Sequence, residues 1–152
     1  MRDFSKQPFP VVTLKQLFDG EDLVLNPIYQ RNAVWTTSQK QFLIDSLFIG
    51  IDIPKIYLNL KNDKYEVVDG QQRIRSVLEF LNDEFELPSE SPNNMAGKLY
   101  SQLEIKLKTK FQAFPIDAVI LKDWSDDDIE EMFLRLQDGT PLNAAEKRRA
   151  IK

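Results

Sequence analysis

The sequence predicts a mixed α+β domain, and three observations carry that expectation. Two runs, 55–60 and 64–68, flank Lys61-Asn62-Asp63 and have the form of a β-hairpin. Three segments set apolar residues at helical spacing: Leu43, Ile44, Leu47 and Phe48, then Ile74, Val77, Leu78 and Leu81, then Ile129, Met132, Phe133 and Leu136. A third substantial strand, 114–121, lies between the second and third of these stripes. Short strands mixed with about five helices give a mixed α/β or α+β architecture, with a small sheet whose hairpin feeds directly into a helix.

The elements follow in order. Thr13 is placed to cap a short helix ending at Gly20, a residue suited to the left-handed C′ position. The run 23–25 reads as a short strand before Asn26-Pro27, and Thr36 or Thr37 opens the helix that Gly50 stops. After the hairpin a helix begins within two residues, and 88–97 is a polar loop. Ser101 with Glu104 forms a capping-box pattern for a helix reaching about Gln112. Ser125 and the three Asp after it suit a helix N-terminus, where negative charge meets the positive end of the dipole, and Gly139 ends that helix. Asn143 with Glu146 is a further capping box, and its helical pattern is still running at residue 152. Residues 1–152 are therefore expected to form one domain, the N-terminal part of a longer protein.

Composition narrows the chemistry. A chain of 152 residues with 42% hydrophobic and 29% charged residues has the makeup of a soluble globular domain. It needs neither disulfide nor metal to fold, since a domain of this size buries roughly 70% of its unfolded surface. No apolar run approaches the ~18 residues of a membrane span, and the N-terminus lacks a signal-peptide core, so a cytoplasmic location without membrane contact is expected. The absence of Cys removes thiolate nucleophiles and Cys-ligated zinc, and the absence of His removes Ser-His triads and HNH-type nuclease chemistry. Catalysis must use carboxylates, Lys, Arg, Tyr, amides, hydroxyls or a hard metal such as Mg²⁺. A net charge of −4 argues against nucleic-acid binding by the domain as a whole, although 142–152 is basic and 122–131 acidic.

Three clusters carry the candidate chemistry. In Val67-Val68-Asp69-Gly70-Gln71-Gln72-Arg73 a strand ends and a helix begins, which leaves first-turn N–H groups without intrahelical partners. Gly70 lets a ligand approach the backbone, Arg73 supplies a forked donor for phosphate oxygens, and Asp69 is placed to hold Mg²⁺ or orient a water. Gln71 and Gln72 offer donors and acceptors to a base or sugar. The bland alternative stands beside this: Asp69 as N-cap with Gln72 at N3 is itself a capping box, and Arg73 a solvated side chain. The second cluster sets Gln30 and Arg31 between Tyr29 and Trp35, suiting phosphate or base contact, or else Trp35 is a core anchor and Arg31 pairs with a surface acid. The third, 133–143 with Glu146 and Arg148, offers Arg135 to a phosphate, or an ordinary Glu131–Arg135 helix pair. The acidic run 126–131 reads as a solvated helix start rather than a metal cluster.

Taken in order, these clusters resemble the GmrSD-type family. Pro27-Ile28-Tyr29-Gln30-Arg31, Trp35, Leu43-Ile44-Asp45-Ser46 and Gly50 resemble its opening. Ile53-Pro54 and Val68-Asp69-Gly70-Gln71-Gln72-Arg73 resemble its middle, and Phe133-Leu134-Arg135-Leu136, Gly139, Pro141-Leu142-Asn143, Glu146 and Arg148 its closing motif. The resemblance implies a fold similar to ParB and sulfiredoxin. It also implies a role in defence against foreign or modified DNA, as a restriction-type protein with GTP-preferring nucleoside-triphosphatase activity. On that implication Asp69, Gly70, Gln71, Gln72 and Arg73 form the nucleotide site, with Gln30, Arg31, Arg135 and Arg148 lining it. Asp69, Gln72 and Arg73 would be catalytic, and Asp69 the Mg²⁺ ligand. Gln137 departs from the pattern, standing where the family has Asn.

The expected function is Mg²⁺-dependent binding and hydrolysis of a nucleoside triphosphate in a bacterial restriction or antiphage protein, with DNA reached through the complete protein and self-association open. Two alternatives stay open: a non-catalytic ParB-like module that binds DNA or senses its modification, and a metal-dependent nuclease, which needs a second carboxylate beside Asp69.

Overall fold

The computed structural model describes residues 2–30 and 33–139, with side chains to residue 136. Among these residues a five-stranded sheet and five α-helices occur in the order β1 (Phe4–Pro10), α1 (Val11–Asp19), β2 (Leu23–Val24), α2 (Thr37–Phe48), β3 (Ile56–Lys61), β4 (Lys64–Asp69), α3 (Gln71–Leu81), α4 (Ile105–Ala113), β5 (Pro115–Lys122) and α5 (Asp126–Gly139). The mixed α+β expectation holds. Across the sheet the strands run β1-β5-β3-β4-β2. β1–β5 and β3–β4 are antiparallel, while β5–β3 and β2–β4 are parallel.

Side chains alternate across a strand, and here the alternation splits the core in two. Val67 of β4, Ile56 and Leu58 of β3, and Ile116, Ala118 and Ile120 of β5 face the larger core, with Ile44 of α2, Ile74 and Phe80 of α3, and Phe111 of α4. Val68, Val119 and Leu121 face the other way and pack with Ile129 and Phe133 of α5. The sheet is thus covered on one face by α1 to α4 and on the other by α5. The stripes read from the sequence account for both cores, except that Leu136 is exposed rather than buried.

Several local expectations are corrected. β1 is an element the sequence did not announce: Pro8 and Pro10 interrupt its pattern, but as an edge strand it pairs with β5 alone and tolerates them. Thr13 lies inside α1 rather than at its cap, because the helix starts directly from the strand and the Val11 N–H donates to the Phe114 carbonyl at 2.9 Å. Gly20 is right-handed (φ −83°), and Glu21 (φ 64°) takes the left-handed position instead. Ser101 caps nothing. It sits in a 3₁₀ turn, Tyr100–Gln102, with its N–H donated to Asp83, and α4 is capped at Glu104. Of the two threonines offered for α2, Thr36 is the cap, exchanging hydrogen bonds with Gln39.

Asn59 on β3 is the buried polar side chain that joins the two layers. Its amide donates to the Trp124 carbonyl at 2.9 Å and its oxygen accepts from the Trp124 N–H at 3.0 Å, which fixes the turn from β5 into α5. Asn59→Ala strands both backbone groups in a buried place, so it is expected to cost about 2–4 kcal/mol, read as a fall in the urea midpoint at unchanged slope. At the start of α5, Ser125 and Asp128 form a capping box, and Arg2 pairs with Asp128 at 2.7 Å and with Glu131. The hydrogen bond from Ser125, then the Arg2 guanidinium, hold the Asp128 carboxyl below its usual range.

Candidate functional site

The site forms where β4 hands over to α3. Opposite Tyr57 and Leu58 the register jumps from Asp69 to Val67, so Val68 is an extra residue and the strand end is bulged. A bulge re-aims the residues beyond it, here Asp69 and Gly70. Gly70 adopts φ +95° and caps α3 with its backbone alone, without a side-chain hydrogen bond. That overturns the capping-box alternative for Asp69 and Gln72. A Cβ at Gly70 would lie 2.6 Å from Ile56 Cγ2 and 3.0 Å from Arg73 Nη2, so glycine is required by conformation and by space.

The first-turn N–H groups of a helix have no intrahelical acceptor, and the cap residue here has no side chain to supply one. The glutamines of that turn are buried, Gln71 at 3% and Gln72 at 7% exposure. Backbone partners fix the orientation of each amide. Gln71 Nε2 donates to the Asn26 carbonyl at 2.6 Å and the Val67 carbonyl at 3.3 Å, and Gln72 Oε1 accepts from the Trp35 N–H at 3.0 Å. Each glutamine then keeps one end over: Gln71 Oε1, an acceptor, and Gln72 Nε2, a donor, are buried without a hydrogen-bond partner.

Arg73 is held rather than solvated. Its Nη2 donates to the Lys55 carbonyl at 2.8 Å and lies 3.6 Å from Asp69 Oδ2, an ion pair. Burial pushes the guanidinium below the usual arginine value, against the opposing charge of Asp69, though an arginine so placed stays charged. Its Nε, like the two glutamine atoms, is buried without a partner. Buried polar atoms are nearly always satisfied, and each that is not costs roughly 1–3 kcal/mol. Three on consecutive residues, 71, 72 and 73, form a preorganised set of one acceptor and two donors.

These residues face a small polar cleft of about 60 Å³, lined by Tyr29, Gln30, Trp35 and the run 69–73. The first and second sequence clusters are thereby brought together. The loop carrying Gln30 is pinned to β4 by Asn26, whose amide donates to Glu66 at 2.8 Å, and to α5 by Tyr29, whose hydroxyl donates to Asp126 at 2.8 Å. Trp35 packs against the main core, as its anchor reading has it, and also walls the cleft. Arg31 and Arg148 lie outside the described residues, as does the capping box of Asn143 and Glu146. Arg135 is not among the cleft's lining: it is exposed and pairs with Glu131 at 3.2 Å. Among the described residues no three acidic side chains are grouped to hold a metal, and Asp126, Asp127 and Asp128 lie in the first turn of α5.

Sequence reasoning missed the Lys55 carbonyl as the holder of Arg73, since a backbone acceptor leaves no mark in the sequence. It also missed an apolar groove of about 490 Å³ that adjoins the cleft, with Trp35 and Arg73 in the walls of both. No described helix is long and apolar enough to cross a membrane.

Comparison with known proteins bears on this architecture in three ways. No curated protein matches the sequence. Among solved structures, the chain is similar to the C-terminally truncated chromosome-partitioning protein ParB from Caulobacter crescentus complexed with CTP-γ-S, at 14% identity and a TM-score of 0.48. That similarity covers 94% of this chain and 58% of the ParB chain. The model of the GmrSD restriction endonuclease N-terminal domain matches residues 14–151, so it takes in the bulged strand end, the cleft loop and α5 alike. The chain belongs to the family of GmrSD restriction endonuclease N-terminal domains.

Proposed function

We propose that the cleft at the head of α3 binds the phosphates of a nucleoside triphosphate, GTP in preference, and that this chain is the nucleotide-hydrolysing part of a longer restriction or antiphage protein. The observation that carries the reading is the set of three buried, unpartnered polar atoms on Gln71, Gln72 and Arg73, at a helix N-terminus whose cap residue is glycine. Phosphate oxygens are acceptors. The first-turn N–H groups, Gln72 Nε2 and Arg73 Nε supply donors for them, and the helix dipole adds to the attraction. Gln71, which lines the same cleft, adds an acceptor in its unpartnered Oε1, suited to a ribose hydroxyl or a water.

Asp69 is the carboxylate of the cleft, and one carboxylate beside triphosphate oxygens is a donor set that suits Mg²⁺, which keeps much of its own water. Bound there, Mg²⁺ would neutralise charge on the phosphates. Asp69 also faces Arg73 at 3.6 Å, so a phosphate accepting from Arg73 releases the carboxylate toward the metal or an attacking water. Arg73, joined by Arg31, which follows Gln30 in the sequence, would balance the charge that develops on the phosphoryl oxygens. Hydrolysis of this kind rests on positioning and electrostatics, which the residues at hand can supply without His or Cys.

The test is thermal stability with Mg²⁺ and each of GTP, ATP, CTP and UTP. Ligand at a hundred times its dissociation constant stabilises by roughly 2.7 kcal/mol, a rise of several degrees for a domain of this size. A rise with GTP above the other three is the expected outcome, and an unmoved transition with all four refutes the reading. Release of inorganic phosphate in the same mixtures measures turnover.

A further inference from the structure

We infer that the groove adjoining the cleft is the subsite for the base and ribose, and that Asp52 selects guanine there. The inference rests on the phosphate site proposed above. The groove runs along α2 from Ser38 to Ser46 and beside the segment 51–54, and it shares Trp35 and Arg73 with the cleft. A ligand whose phosphates lie on the head of α3 therefore extends past Arg73 into this space. At about 490 Å³ the groove has room for a nucleoside.

Its walls have the required character. Phe42 is 73% exposed and Ile51 is 51% exposed, unusually so for side chains of this size, and with Ile53 and Pro54 they make an apolar slot. Solvent-facing apolar groups lining a concave surface mark a binding site more often than an isolated exposed residue does. The aromatic faces of Phe42 and Trp35 offer stacking, which any base accepts. Discrimination must come from the polar groups. Gln39 Oε1 is engaged by the Thr36 N–H at 2.8 Å, and the Ser46 hydroxyl donates to the Phe42 carbonyl at 2.7 Å. Ser38 and the Gln39 amide nitrogen also line it, and Asp52 is its carboxylate, exposed to solvent. Two carboxylate oxygens match the two adjacent donors of guanine, the ring N1–H and the 2-amino group. Adenine and cytosine each offer a single amino group beside a ring acceptor, and the uracil N–H lies between two carbonyls that repel the carboxylate.

Equilibrium binding of Mg²⁺–GTP, Mg²⁺–xanthosine triphosphate and tripolyphosphate to the parent chain, Phe42→Ala and Asp52→Asn tests this. Both side chains are exposed, so the variants are expected to fold as the parent does. Phe42→Ala is expected to weaken GTP about tenfold and leave tripolyphosphate unchanged. Asp52→Asn is expected to weaken GTP by a similar factor and to gain xanthosine triphosphate, because xanthine carries a carbonyl at C2 that accepts from the new amide. GTP binding that neither variant alters overturns the subsite while leaving the phosphate site intact. Loss of GTP by Asp52→Asn without gain of the xanthine nucleotide removes Asp52 as the selector. A shift in oligomeric state of Phe42→Ala at unchanged GTP affinity makes the groove a protein interface and overturns the inference. If the parent binds neither GTP nor tripolyphosphate, the phosphate site falls and this subsite falls with it.

Discussion

Gly70→Ala is expected to destabilise the protein by roughly 2–5 kcal/mol, the sum of a strained left-handed residue and an overpacked contact. The new methyl would meet Ile56 Cγ2 at 2.6 Å and Arg73 Nη2 at 3.0 Å. Ile56 is fully buried at the start of β3 and cannot retreat cheaply. Gly50→Ala is the internal control. Gly50 also has positive φ (+83°) but nothing within 4 Å of the added Cβ, so it should show the conformational cost alone, about 1 kcal/mol. Urea unfolding of the two variants separates strain from clash. Equal losses would mean that the approach of Ile56 to Gly70 has no energetic consequence.

Arg73→Ala is expected to weaken Mg²⁺–GTP binding roughly a hundredfold, about 2.8 kcal/mol, while the fold survives. The fold survives because the substitution also removes an unpartnered Nε and a charge that burial disfavours, which offsets much of the lost hydrogen bond to Lys55. Arg73→Lys keeps the charge and loses the fork, and is expected to recover only part of the affinity. The pair of variants is read by calorimetric titration, with a denaturation curve of each as the check on folding. An Arg73→Ala protein that binds GTP like the parent removes Arg73 from the phosphate site.

Periodicity made the larger elements legible. The stripes on α2 and α3, the hairpin and β5 are found where the spacing of apolar residues puts them, because burial against a sheet enforces that spacing. β1 was hidden by Pro8 and Pro10, which demote a strand to an edge without forbidding it. Thr13 and Ser101 were misread because a cap pattern is local, while α1 starts two residues earlier, with its Val11 N–H on the Phe114 carbonyl, and the Ser101 N–H is taken by Asp83. At the site, Asp69, Gly70, Gln71, Gln72 and Arg73 were legible as one run, and Gln30 and Trp35 as neighbours in an ordered motif. Their burial was not legible, since glutamine is usually a surface residue and its partners here are backbone groups of Asn26, Val67 and Trp35. The groove left a faint trace: Phe42 falls beside the apolar stripe of α2 and so had no core to enter.

The most direct test of the phosphate site is a ¹⁵N-resolved NMR titration of the chain with Mg²⁺–GTP. The largest shifts are predicted at the backbone amides of Gly70, Gln71 and Gln72, at the Gln72 side-chain amide and at Arg73 Nε, the donors of residues that line the cleft. Spectra that stay still, or move around another part of the fold while these resonances hold their positions, contradict the account.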